Sequence, residues 1–152
     1  MADLEKRLRI LEGIVNGLRS KNRTTQRLSF IATAGLTSTA WDGDAYSTTA
    51  KTLIDLSVVF GLPAGIKAIY ARLIARDSGS AGSSTLFLAL WPNNDTAVFS
   101  AIHCRPSGLP NDYWMDVNGI CPCDENGDVW YEISASGAGT LDAYIRIWGY
   151  WI

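Results

Sequence analysis

One histidine and three cysteines are the side chains of this sequence best suited to bind a metal: His103, Cys104, Cys121 and Cys123. One His with three Cys can ligate zinc, but zinc-binding cysteines usually have two to four residues between them, whereas Cys121 and Cys123 have only Pro122 between them. His103 and Cys104 are adjacent, so they would point to opposite faces of a strand. Small buried cysteines are also common. We therefore predict no metal site, and the odd cysteine count predicts no disulfide framework.

Asp124, Asn126 and Asp128 are spaced like the first ligands of a calcium-binding loop. Such a loop has a bidentate Glu at its twelfth position, whereas residue 135 of this chain is Ala. The Asn-Gly pair inside the segment is a strong signal of a two-residue hairpin turn. We predict a hairpin here and no calcium site.

The sequence lacks the motifs that mark common catalytic sites, including the P-loop, the dinucleotide fingerprint, the nucleophile elbow and His-Glu-x-x-His. A Ser-His-Asp site would have to use His103, and no serine stands out as its partner. A glycoside-cleaving pair of carboxylates stays open, because it needs only two acids at the right separation. We predict that the protein is not an enzyme and uses no cofactor.

Aromatic residues are the other chemically distinctive group, with six tryptophans and six tyrosines. Some lie at predicted loop ends and could stack on sugar rings, so the candidates for glycan binding are Trp41, Trp91, Tyr113 and Trp114. Polar neighbours that could hydrogen-bond sugar hydroxyls are Asp42, Asp44, Asn93, Asn94, Asn111 and Asp112. Aromatics beside Asn and Asp also describe ordinary turns.

The end of the chain carries a second group of aromatics. Leu141, Ala143, Ile145 and Ile147 alternate along one face of a predicted final strand, and Tyr144, Trp148 and Tyr150 would share the other face. Tyr and Trp are enriched where subunits meet. We therefore predict a subunit interface formed by Tyr144, Trp148, Tyr150 and Trp151.

These residues must be positioned by strands, because every apolar segment after residue 27 has a period of two. Predicted strands cover residues 53–60, 66–75, 84–91, 97–104, 113–120, 129–135 and Leu141–Trp151. Glycine, proline and asparagine clusters separate them. Seven or eight short strands with no helix among them predict an antiparallel β-sandwich or jelly-roll-like domain over residues 28–152.

The first twenty residues have a different period. Leu4, Leu8, Leu11, Val15 and Leu18 form the apolar seam of a heptad pattern, in which Arg7 and Glu12 take the flanking g and e positions and can pair between helices. Ile14 widens the stripe, which favours three helices over two. We predict a trimerisation coiled coil over residues 1–20 and a polar linker over residues 21–27. A dimer, or an amphipathic helix that packs on its own domain, stays open.

Composition limits the partners of this chain of 152 residues, which is long enough for one modest core. Residues 1–27 hold seven Lys/Arg against three Asp/Glu, and residues 28–152 hold six against twelve. The arm is basic and the body acidic, so nucleic-acid binding is not expected.

Residues 1–18 carry charges throughout and resemble no signal peptide, and no run of eighteen apolar residues could insert into a membrane. We expect synthesis in a cytoplasm.

Two stretches resemble a known group of proteins, the small trimeric virion proteins of tailed bacteriophages. One is Ile-Asp-Leu-Ser at residues 54–57 with Leu-Pro-Ala-Gly-Ile-Lys-Ala-Ile at residues 62–69, and the other is Ile-Arg-Ile-Trp-Gly-Tyr-Trp-Ile at residues 145–152. The resemblance covers 20 of the 152 residues. Members of the group carry an N-terminal coiled coil and a C-terminal β-domain, and they serve as capsid decoration proteins, head fibres or tail-fibre tips.

The resemblance implies a homotrimer on the virion surface, made in the cytoplasm of a bacterial host and bound to capsid or tail proteins. The expected function is that of a structural protein, either a capsid decoration protein or a head fibre. The alternative is a receptor-binding fibre tip that recognises host surface polysaccharide through the loop aromatics.

Overall fold

The computed structural model describes residues 5–7, 9–13, 27–31, 34–79 and 85–152. This part of the chain is mainly β. Its strands are β1 (Leu28–Phe30), β2 (Asp42–Tyr46), β3 (Thr49–Ile54), β4 (Ala68–Asp77), β5 (Phe87–Trp91), β6 (Ile102–Cys104), β7 (Met115–Pro122), β8 (Val129–Ser134) and β9 (Leu141–Trp151). A short helix, α1, spans Leu56–Phe60, and a 3-10 turn spans Thr39–Trp41.

The strands form two antiparallel sheets. Sheet A has the order β7-β4-β9, and both β1 and β2 pair with the other side of β9. Sheet B has the order β3-β8-β5-β6. The ladder between β4 and β9 runs from Ala68 opposite Trp151 to Asp77 opposite Leu141, so these two long strands form the centre of sheet A.

One hydrophobic core includes side chains from both sheets. Every second residue of β4 and of most of β9 is buried, as expected for antiparallel strands with one face toward the core. The largest fully buried side chains on the central strands are Ile69, Leu73, Leu141, Ile145 and Ile147 on β4 and β9 of sheet A, and Leu88, Leu90, Val129 and Ile133 on β5 and β8 of sheet B. The prediction of a mainly β, antiparallel domain is confirmed.

The prediction of a single strand over residues 53–60 is wrong in its second half, which is helical. β3 ends at Ile54, and Asp55 caps α1 by accepting hydrogen bonds from the N–H groups of the first turn. Gly61 then ends the helix in the left-handed conformation, at φ 69°. The cap residues at both ends thus outweigh the period-two pattern between them.

The apolar residues of α1 fit a helix better than a strand. Leu56 and Phe60 are four positions apart and buried, whereas Val58, halfway between them, is 78% exposed. In a strand all three would have pointed to the same face. Leu56 and Phe60 therefore form a helical i, i+4 pair, which the alternating pattern of the sequence does not distinguish from a strand.

Other predicted strands have shifted bounds. Those over residues 66–75, 84–91, 97–104 and 113–120 are present as β4, β5, β6 and β7. The largest change is at β6, because Asp95 accepts a hydrogen bond from the N–H of Ala97 and forms a turn that delays the strand. The final strand is confirmed over Leu141–Trp151.

The described residues of the predicted N-terminal coiled coil, 5–7 and 9–13, are helical, and the coiled coil itself stays a prediction. Of the predicted linker over residues 21–27, Arg27 alone is described. Its backbone N–H and C=O pair with Ile152, so it extends the contact between β1 and β9. None of the helical segments described is long and apolar enough to cross a membrane.

Candidate functional site

The predicted trimerisation residues are partly described. Leu4, Leu8, Ile14, Val15 and Leu18 lie outside the described residues. Arg7, Leu11 and Glu12 lie inside them, on the helical segment, and all three are exposed. Leu11 is 58% exposed and its neighbour Ile10 is 55% exposed. In the single chain these apolar side chains therefore remain largely open to solvent.

The outer face of sheet A carries alternating arginines, acids and aromatics. Arg76 donates from Nε to the Asp142 carboxylate at 2.7 Å, and its guanidinium carbon lies 4.6 Å from the centre of the Trp114 ring. The Trp114 and Tyr144 rings are 5.3 Å apart. These four side chains form a connected cluster on β4, on β9 and on the residue just before β7, because the register places them in neighbouring rows.

Arg146 lies on the same face of sheet A but has no acidic partner among the described residues. Its cross-strand neighbour on β4 is Arg72, which pairs with Asp116 at 2.9 Å. Arg146 makes no ion pair with the described residues, and its Nε atom is buried without a hydrogen-bond partner. A buried donor left without an acceptor is unfavourable, so an acceptor from outside the chain would be stabilising here.

The four aromatics of the predicted interface do not share one face. Tyr144 faces outward, but β9 has a bulge at Trp148, which has no partner in β4 between the pairs of Ile147 and Gly149. The bulge changes the phase of the strand, so Tyr150 pairs with the buried Ile69 and packs against the core. The prediction that Tyr150 shares the face of Tyr144 is therefore corrected.

The other two predicted interface residues have different neighbours. The ring of Trp148 lies over Gly35, where a Cβ atom would be 3.2 Å from two of its ring carbons. Trp151 is half-buried and pairs with Ala68 and Leu28. Tyr144 is thus the member of the group that lies in the outward-facing cluster.

The aromatics predicted to bind glycan are dispersed. Trp41 is 4% exposed, stacks on Tyr46 with ring centres 5.1 Å apart and meets Tyr131 edge-on. It is a core residue, and its prediction as a stacking platform is wrong because its ring packs against Tyr46 and Tyr131, although the other two residues of the 3-10 turn are exposed. Trp91 is half-buried, and the Lys51 ammonium lies 3.5 Å from its ring centre.

Tyr113 and Trp114 are exposed by 60% and 40%, respectively. They lie beside sheet A, whereas Trp91 belongs to sheet B, so the structure does not bring the four aromatics together. The face of Trp114 is also occupied by the guanidinium of Arg76. Two of the four predicted residues therefore remain accessible, next to each other in the chain.

A surface cleft of about 660 Å³ does bring several polar side chains together around an aromatic ring. We call it the Trp130 cleft, and it is lined by Lys67, Asn93, Asn94, Glu125, Asn126 and Trp130, with Asp124 and Cys123 beside them. Asn93 and Asn94 follow β5, the acidic residues form the turn between β7 and β8, and Lys67 precedes β4. The pairing of Trp91 with Trp130 brings these segments together.

The walls of the cleft are held by local hydrogen bonds. Asp124 accepts from the N–H groups of Asn126 and Asp128, which fixes the turn between β7 and β8. Asn93 accepts from the N–H of Asp95 and fixes the opposite wall. The backbone of Lys67 bonds to Cys123 on one side and to Trp151 on the other. The cleft is therefore built from constrained backbone.

Sequence reasoning identified Asn93, Asn94 and the acidic turn, but it did not identify Lys67 or Trp130 as site residues. Trp130 could have been found from the strand pattern, because Val129 and Ile133 have the spacing of inward residues and Trp130 then points outward next to a turn. Lys67 has no comparable signal, because only the pairing of β4 with β7 places it beside the cleft.

The cysteines and the histidine form no reactive centre in the described residues. Burial raises the pKa of the Cys104 and Cys121 thiols to about 12, and burial with the nearby Asp124 and Asp128 does the same for Cys123. Cys104 donates to the carbonyl oxygen of Met115, inside the core. Among the described residues no group of three His, Cys, Asp or Glu side chains is arranged to hold a metal ion.

His103 lies on the outer face of sheet B. Its Nδ1 atom is 3.2 Å from the hydroxyl of Ser100, and its ring is 4.8 Å from that of Phe87. Burial, together with the charge of Arg105, lowers its pKa. No carboxylate of the described residues is hydrogen-bonded to the imidazole, so this contact lacks the third member of a Ser-His-Asp arrangement.

Comparison of the chain with protein-family models finds no match, and comparison with curated proteins finds none either.

Proposed function

We propose that this chain is a structural protein of the virion surface of a tailed bacteriophage, a capsid decoration protein or head fibre that assembles as a homotrimer. In this proposal residues 1–20 form a three-stranded coiled coil, and the two sheets pack as a β-sandwich around the same axis. Other virion proteins are its binding partners. The assembly itself is the mechanism, and no catalytic step is involved.

The observation that carries the proposal is the exposure of Leu11. This predicted seam residue is 58% exposed on a helical segment, although burying a leucine fully is worth about 1.5–3 kcal/mol. Arg7 and Glu12 flank it at positions where a second copy offers the opposite charge. A second and third copy of the same helix would cover the seam with matching side chains.

The resemblance to tailed-phage virion proteins supports the location. Its second stretch, residues 145–152, lies in and just after β9, at the centre of sheet A. Its first stretch fits less well, because α1 replaces the first strand of the expected strand-turn-strand pattern. The virion assignment therefore rests mainly on the end of the chain and on the predicted coiled coil.

Ile10 and Leu11 provide a matched test of the assembly. The two side chains are almost equally exposed in the single chain, but Leu11 is at a seam position and Ile10 is outside the seam. Light scattering after size exclusion should give three times 16.5 kDa for the full chain and for Ile10→Asp, and 16.5 kDa for Leu11→Asp. A monomeric full chain, or equal masses for the two variants, would contradict the coiled coil.

Attachment to the virion should depend on the basic N-terminal arm, because residues 1–27 have a net charge of +4 and the body a net charge of −6. A chain that starts at Leu28 should then fail to bind isolated virions that the full chain decorates. Undiminished binding of the shortened chain would show that the body makes the attachment.

Recognition of host surface polysaccharide by a fibre tip is the alternative function. As predicted from the sequence, this function depends on Trp41, Trp91, Tyr113 and Trp114, of which Trp41 is buried and Tyr113 and Trp114 are exposed. Loss of glycan binding in Trp114→Ala would support this form of the alternative.

A further inference from the structure

The Trp130 cleft combines an aromatic surface with several polar side chains that make no hydrogen bond or ion pair within the described residues. We propose that it binds a neutral oligosaccharide. The inference does not depend on the assembly proposal, because a saccharide could occupy this cleft in a monomer or in a trimer. It also names a different part of the surface from the four aromatics predicted from the sequence.

Trp130 supplies the apolar contact. It is half-buried and paired across the sheet with Trp91 on one side and Leu53 on the other, so its position is fixed before any ligand arrives. A tryptophan presents a large rigid apolar surface, and the C–H face of a sugar ring is a suitable partner for it. Preorganisation of this kind lowers the entropy cost of binding.

The polar groups around Trp130 are available to a ligand. The side chains of Lys67, Asn94, Glu125 and Asn126 make no hydrogen bond or ion pair with the described chain. Together they offer amide and ammonium donors and amide and carboxylate acceptors. A sugar hydroxyl both donates and accepts, so a polyhydroxylated ligand can use this mixture fully.

The charge of the cleft favours a neutral ligand. Asp124 and Glu125 face one cation, Lys67, and the body of the protein has a net charge of −6. A sulfated or sialylated chain would therefore be repelled. The volume of about 660 Å³ lies within the range of roughly 300–1,000 Å³ found for small-molecule sites.

An array of neutral oligosaccharides of glucose, galactose, mannose and N-acetylglucosamine, with sulfated and sialylated chains beside them, tests the proposal on the full chain. We expect binding to at least one neutral chain and weaker binding to its charged analogues. Titration calorimetry with the best neutral chain should show at least tenfold weaker binding for Trp130→Ala. Asn94→Ala and Asn126→Ala should each weaken binding by roughly threefold to tenfold, as expected for loss of one hydrogen bond.

Asn94 and Asn126 are exposed, so their substitution tests the site even if Trp130→Ala fails to fold. Trp114→Ala is the matched control, since it removes an exposed tryptophan outside the cleft and should change the dissociation constant by less than twofold. The proposal is overturned if no neutral chain binds, if charged chains bind better, or if Trp114→Ala abolishes binding that both asparagine variants retain. Light scattering on the same samples reports the oligomer separately.

Discussion

Arg72 and Arg146 lie directly opposite each other in the ladder between β4 and β9, and of the two only Arg72 has an ion-pair partner in the described residues. Asp116 neutralises Arg72 from β7, whereas the buried Nε atom of Arg146 has no acceptor in the part of the chain that the structure describes. Two like charges directly opposite on one face of a sheet destabilise it. The outer face of sheet A is therefore left with an uncompensated positive charge at its centre.

Replacing Arg146 by methionine should stabilise the isolated chain. The substitution keeps most of the apolar stem and removes both the like-charge pair and the unsatisfied donor, so we expect a gain of about 1 kcal/mol in the free energy of unfolding. Urea denaturation below the concentration at which the chain associates measures it. The control, Arg72→Met, breaks the pair with Asp116 and should not stabilise. A lower free energy of unfolding in Arg146→Met would mean that Arg146 has an acceptor outside the described residues.

Asp77 should make the stability depend on acid pH. It is 1% exposed, and it accepts hydrogen bonds from Gly79, Ser136 and Thr140 that tie the end of β4 to the turn before β9. Burial acts to raise its pKa, but the hydrogen bonds from these residues outweigh burial and leave the pKa below its ordinary value.

Because the folded pKa of Asp77 is lowered, its contribution is complete above the unfolded value of about 3.9 and is lost as the pH falls through the folded value. Asp77→Asn should lower the free energy of unfolding by about 2–3 kcal/mol at pH 7 and should reduce its decline below pH 4. Thermal unfolding at a series of pH values measures both. An unchanged pH profile in the variant would assign the acid sensitivity to other groups.

Trp41→Ala should destabilise the fold, because the indole is part of the core. Removing a buried tryptophan costs about 3–5 kcal/mol. Tyr113→Ala removes an aromatic that is 60% exposed and should change stability by less than about 0.5 kcal/mol. Chemical denaturation of the two variants compares them directly. A tolerated Trp41→Ala would indicate that this ring is accessible, as the sequence alone had suggested.

Gly127 and Gly108 form a matched pair for testing the turn that borders the Trp130 cleft. Both have positive φ, of 93° and 76°, so alanine is strained at either position. At Gly127 a Cβ atom would also lie 3.2 Å from the backbone nitrogens of Gly65 and Ile66, whereas at Gly108 it would have no atom of the described residues within 4 Å.

Gly127→Ala should therefore cost more stability than Gly108→Ala, by about 1 kcal/mol or more, since backbone atoms cannot move aside as a flexible side chain can. Gly127→Ala should also weaken the binding of any ligand to the Trp130 cleft, because the turn carries Glu125 and Asn126. Denaturation curves of both variants provide the comparison. An equal loss of stability in the two variants would show that the turn at Gly127 can move to accept the added Cβ atom.

β9 was predictable because a long strand with one buried face repeats the same signal many times. Leu141, Ala143, Ile145 and Ile147 are all buried as the alternation indicates. The bulge at Trp148 was not predictable, since one extra residue leaves no trace in the spacing of the aromatics. The side assigned to Tyr150 was therefore wrong although the strand was right.

The error at α1 has a different origin. Its signals were present in the sequence, with a capping residue at Asp55 and a glycine at position 61, but five residues are too few for helical periodicity to compete with an apparent alternation. The Trp130 cleft could be predicted only in pieces. Its turns are local features, but they come together through the long-range pairing of β5 with β8 and of β4 with β7, which single-sequence reasoning does not determine.

The position of β9 also constrains the order in which sheet A can form during translation. β1, β2 and β4 all pair with β9, yet each is synthesised at least sixty residues before it. The edges of these three strands that pair with β9 therefore stay without a partner until β9 has left the ribosome. Contacts of such sequence separation form slowly, and an open strand edge is prone to aggregation. A chaperone that shields the nascent chain would be expected to raise the yield of folded protein.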